Sequence, residues 1–70
     1  MNHQVAKQEL TRKLAANFSR MHELLTAEQD AVSGLDRQRI ERLEAEIGKV
    51  MEEIKVLLAQ LRNQPSENGG

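Results

Sequence analysis

Two histidines, His3 and His22, and the carboxylates Glu41, Glu44, Glu46, Glu52 and Glu53 are the side chains best suited to move a proton or hold a metal ion. His22 adjoins Glu23, but neighbours on a helix point about 100° apart, so the pair does not converge on a substrate. His22 therefore reads as a surface histidine. Carboxylate metal centres in helical bundles combine inward glutamates with Glu-x-x-His motifs, and no histidine follows His22. The glutamates read as a solvated helix face. The chain has no cysteine, which excludes disulfides, thiolate metal ligands and cysteine nucleophiles together. No glycine-rich phosphate loop or nucleophile elbow occurs. No catalytic residue, cofactor or metal is expected, and the chain is not expected to be an enzyme. Arg37, Arg39 and Arg42 could contact phosphate, but in a hairpin they would lie near Glu28 and Asp30, where ion pairing would select register.

The elements that carry these residues are helices. Phe18 is the only aromatic residue in 70, and Leu, Glu, Arg, Ala, Gln and Lys, the strong helix formers, fill the interior. An aliphatic core without large rings suits helix-on-helix packing better than a ligand pocket. Formal net charge is −1, without the basic surplus that nucleic-acid binding requires, so nucleic acid is not an expected partner. There is no signal-peptide run and no 18-residue apolar stretch. A soluble, cytoplasmic protein with no membrane contact is the expectation. A chain this short buries only about 60% of its unfolded surface. With disulfides and metals removed, association is the remaining means of stabilising it.

The second half carries the stricter pattern. Ile40, Leu43, Ile47, Val50, Ile54, Leu57 and Leu61 alternate spacings of three and four, a coiled-coil seam with Ile at a positions through residue 54. Met51 and Leu58 widen this stripe at e positions. In the first half, Leu14, Phe18, Met21, Leu25 and Val32 form a stripe flanked by Leu10, Leu24 and Ala31, with Thr11 and Glu28 also falling on the seam. Its register predicts a seam position at 39, whereas the second stripe starts at Ile40. The phase break argues against one continuous helix.

Local chemistry at the break agrees. Gly34 is predicted to take the left-handed conformation that ends a helix, and Asp36 to cap the next. Leu35 and Ile40 stand at the spacing of a hydrophobic staple. The expected fold is all-α: an antiparallel two-helix, coiled-coil-like hairpin over 1–64. Its helices run over about 4–33 and 36–63, joined by a turn at Gly34, Leu35 and Asp36. The first three residues should fray, and 65–70 should form a disordered tail. The alternative is one long helix kinked at Gly34.

Both stripes are too broad for two helices to cover, so another chain should complete a bundle. The expected partner is protein, either a second copy or a different helical chain, giving a homo- or hetero-oligomer. Periodicity does not choose between them.

With the hairpin drawn, the chain resembles the small co-chaperones of type III secretion needle subunits. Their second helix often opens with Asp-Pro-Gln-Gln-Tyr and continues with spaced Leu and Ile. Here Asp36-Arg37-Gln38-Arg39-Ile40 precedes Leu43, Ile47, Val50, Ile54, Leu57 and Leu61. The likeness covers residues 33–63 and departs at Arg37 and Ile40. It implies a cytoplasmic co-chaperone that, with a helical-repeat chaperone, holds an export subunit monomeric. A second resemblance is to flagellar export chaperones, through Leu24-Leu25-Thr26-Ala27-Glu28 with Gly34 and Asp36, although those proteins are longer. The competing expectation is a homodimeric four-helix-bundle structural or regulatory protein with no export role. A short helical-hairpin regulator of nucleic acid ranks below both, because the basic face is missing.

Overall fold

Reversing the chain falls to one residue, and it is not the glycine. Gly34 continues the preceding helical turn, its N–H donating to the Asp30 carbonyl at 3.1 Å. Leu35 takes the left-handed conformation, with φ 56°. The Leu35 N–H donates to Val32 O and the Asp36 N–H to Ala31 O, each at 3.0 Å. These two bonds are the paired closure of a Schellman motif, with Leu35 at C′. The expectation for Gly34 is therefore off by one position. Asp36 is committed to capping: its Oδ1 accepts the Arg39 N–H at 3.2 Å with Asp36 at φ −88° and ψ 89°. Between a helical Gly34 and an extended Asp36, only Leu35 is left to turn the chain. Leu35 is 83% exposed, so it does not pack over Ile40 and the expected staple is absent.

The structure, a computed structural model, describes residues 2–64, with side chains from residue 5 onward. Helix α1 spans Asn2–Ser33 and helix α2 spans Arg37–Arg62. The tail expected at 65–70 lies outside the described residues, as does Met1; Asn2 and His3 are helical rather than frayed. At 1.5 Å per residue the helices measure about 48 and 39 Å, so α1 extends beyond the end of α2 at the open end. Helix α2 closes at Asn63, whose N–H donates to Ala59 O at 3.0 Å, with Pro65 following two residues later in the sequence.

The helices pack antiparallel, as three rungs along their length establish. Leu10 and Leu14 cluster with Leu57, and Ile54 and Leu61 pack against them at the open end. Arg20 meets Glu46 at 3.9 Å midway, and Arg39 donates to Asp30 Oδ2 at 3.0 Å beside the turn. The core is one narrow seam. Leu10, Leu14, Leu24, Ala31, Val50 and Leu57 are buried, and among the described residues no large side chain is fully buried. The result is a rod of 53 × 15 × 14 Å with a radius of gyration of 16.2 Å, against about 11 Å for a compact domain of this length.

The seam of α2 matches its sequence pattern: Val50 and Leu57 are buried, while Ile40, Leu43, Ile47, Ile54 and Leu61 are partly buried. The seam of α1 differs from the expected stripe. Apart from Ala6 and Ala27 at its edge, the buried and partly buried residues run Leu10, Leu14, Asn17, Met21, Leu24, Glu28, Ala31, again spaced by four and three. Leu14, Met21 and Glu28 are shared with the expected stripe, but Phe18, Leu25 and Val32 lie one position further round. The turn fixes this rotation. Its short link brings α2 hard against α1 at Ala31, the most buried residue at 1% exposure, where a small side chain permits close approach.

Candidate interaction face

Heptad positions follow directly from the two seams. In α1, Leu14, Met21 and Glu28 are a positions and Leu10, Asn17, Leu24 and Ala31 are d positions. In α2, Ile40, Ile47, Ile54 and Leu61 are a and Leu43, Val50 and Leu57 are d. Phe18, Leu25 and Val32 are then e residues of α1, and Met51 and Leu58 are e residues of α2. In an antiparallel pair the two e rows flank the same side of the seam and the two g rows flank the other. The Arg20–Glu46 pair joins two g positions across the helices, which fixes which side is which.

The two sides differ in chemistry. The g side carries Lys13, Arg20, Arg39, Glu46 and Glu53, with two ion pairs bridging the helices on the same side as the g rows. The e side is mainly apolar, interrupted by Thr11 on α1 and Glu44 on α2. Phe18 and Val32 are each 52% exposed, Leu25 49%, Met51 52% and Leu58 44%. Counting along the antiparallel rungs places Phe18 across from Met51 and Leu58 across from Thr11. A shallow depression on α1 is lined by His22, Leu25, Thr26, Glu28, Gln29 and Val32.

The expected interaction residues thus divide into two groups. Leu14, Met21, Ile40, Leu43, Ile47, Val50, Ile54, Leu57 and Leu61 lie between the helices. Phe18, Leu25, Val32, Met51 and Leu58 form the open face. Leu10, Leu24 and Ala31, read from the sequence as flanks, are in the seam. Asn17 also lies in the seam, a place that its three-and-four spacing from Leu14 and Met21 marks although its side chain is polar. Its Nδ2 donates to the Lys13 carbonyl at 2.8 Å, which satisfies the amide locally at the seam's edge.

The residues weighed for chemistry are dispersed. His22 is exposed, and among the described residues no group of three His, Asp or Glu side chains could hold a metal ion. Of the three arginines that open α2, Arg39 makes the pair with Asp30, while Arg37 and Arg42 make no ion pair among the described residues. No described helix is long and apolar enough to cross a membrane. No family model matches this chain, and no curated protein or solved structure matches it.

Proposed function

We propose that this protein is a non-catalytic helix-docking module, and that its e side receives the helices of another chain. One observation carries the reading: five large apolar side chains, from both helices, stand half exposed on a single side of the rod. An apolar face of this kind on a small protein marks an interaction site, and helices are the partners whose spaced side chains fit a two-helix groove. The finer form suggested by resemblance is a cytoplasmic co-chaperone for a secretion subunit. The hairpin and the Asp36-initiated second helix support it, since both belong to that pattern. The other form is a self-associating four-helix bundle, which the distribution of charge around the face favours.

Replacing Phe18 and Leu25 together with Asp tests the module. Both lie outside the seam, so helicity by circular dichroism should be kept. Binding of an apolar fluorescent dye, or association where the face is already occupied, should be lost, because burying a charge against a helix without a partner is strongly unfavourable. Unchanged association and unchanged dye binding in this variant would refute the assignment of the face.

A further inference from the structure

The charges that border the apolar face say what covers it. On α1 the bordering b positions are Gln8, Ala15, His22 and Gln29, none of them a fixed charge. On α2 the border and the remaining e position carry Glu41 and Glu44 toward the turn and Lys55 and Arg62 toward the open end. Glu41 and Glu44 have no cation within 4 Å among the described residues, and Lys55 reaches only Glu52 of its own helix, at 3.6 Å with both side chains over 70% exposed. One edge of the face is therefore neutral, and the other is negative at one end and positive at the other.

We infer that the occupant is a second copy of this chain, laid antiparallel on the first so that the two α2 helices run side by side about a two-fold axis near Met51. The inference rests on the helix-docking reading of the face and adds the identity and orientation of the partner. With Met51 on the axis, Glu44 of each copy approaches Lys55 of the other, and Glu41 approaches Arg62. Every such contact occurs twice, as an isologous interface requires. The other two-fold arrangement that closes this face, with the axis along the rod, sets α2 against α1 of the other copy, whose neutral border offers these charges no partner, so the charges favour the antiparallel α2 pairing. Phe18, across from Met51 within each hairpin, brings four large apolar side chains to the axis.

One further observation fits. Gly48 sits on this border one turn before Met51, in mid-helix, and a Cβ added there would meet nothing within 4 Å. Nothing in the hairpin requires a glycine at 48, whereas in the pair it lies beside the partner's Lys55 stem and lets the helices approach. Four helices packed in this way are the smallest arrangement that covers both e rows.

Sedimentation equilibrium of the full chain at micromolar concentration should give twice the 7.9 kDa chain mass. Two double variants, Glu41→Lys with Glu44→Lys and Lys55→Glu with Arg62→Glu, should each weaken dimerisation at least tenfold while remaining helical. Mixing the two variants should restore assembly, which separates a charge effect from damage to either helix. A wild-type chain that stays monomeric at 100-fold higher concentration overturns the homodimer. In that event, dye binding that is lost on the Phe18 and Leu25 double replacement leaves the face as a docking site for a foreign helix. Absence of dye binding to the monomer ends both readings. A dimer indifferent to all of these substitutions places the interface elsewhere and refutes the proposal.

Discussion

Leu35 is the residue whose conformation is least favourable by its own chemistry. A side chain in the left-handed region costs about 1–2 kcal/mol relative to the right-handed one, and Leu35 gains little burial in return at 83% exposure. Replacing Leu35 with Gly should therefore stabilise the hairpin by about 1 kcal/mol, seen as a higher urea midpoint by circular dichroism. Gly34→Ala should be neutral or stabilising by up to about 1 kcal/mol, because its Cβ would meet the Asp30 carbonyl at an ordinary 3.7 Å and no positive φ is needed there. The reverse ranking would mean that the turn closes through Gly34 after all. The sequence makes the turn legible to within one residue. Glycine and aspartate mark the break, but which residue reverses depends on how far α1 persists, and that is set by packing at Ala31 rather than by the turn residues.

Between the helices, the question is which of two adjacent apolar rows forms the seam. In α2 the pattern left no choice, since one row holds all of Ile40 to Leu61 and the e row begins with Glu44. In α1 the e row (Phe18, Leu25, Val32) is bulkier than the d row (Leu10, Asn17, Leu24, Ala31), so hydrophobicity alone points to the wrong one. What decides is the length of the connection, which needs Ala31 facing α2, and periodicity does not carry that information. Adjacent leucines test the placement. Leu57→Ala, at 3% exposure in the open-end cluster, should cost about 2–4 kcal/mol and melt much of the hairpin. Leu58→Ala should cost about 1 kcal/mol or less within the hairpin, since that side chain is already half in solvent. Similar losses of helicity at the two positions would place the seam wrongly. Asn17→Leu, at a d position, should stabilise the hairpin by about 1 kcal/mol, seen as a higher urea midpoint, because a seam amide limits stability while fixing register.

For the whole molecule, the ion pairs are too exposed to hold the fold together. Arg20–Glu46 and Arg39–Asp30 span the helices with side chains 42–75% exposed, and pairs of this kind contribute about 0–1 kcal/mol each. Stability must come from apolar burial, and a single seam with six buried residues among those described is a thin source of it for a rod 53 Å long. A chain so arranged gains most of its remaining stabilisation by covering the e side, so folding and association should be linked by mass action. For a dimer that unfolds to separate chains, tenfold dilution removes about 1.4 kcal/mol per dimer. The thermal midpoint should therefore fall by a few degrees with each tenfold dilution. Leu25→Asp should lower the midpoint and abolish its dependence on concentration together, because it removes association while leaving the seam residues in place. A wild-type midpoint that holds constant across two decades of concentration would show that the seam alone sustains the fold, and the half-exposed row from Phe18 to Leu58 would then contribute nothing to stability.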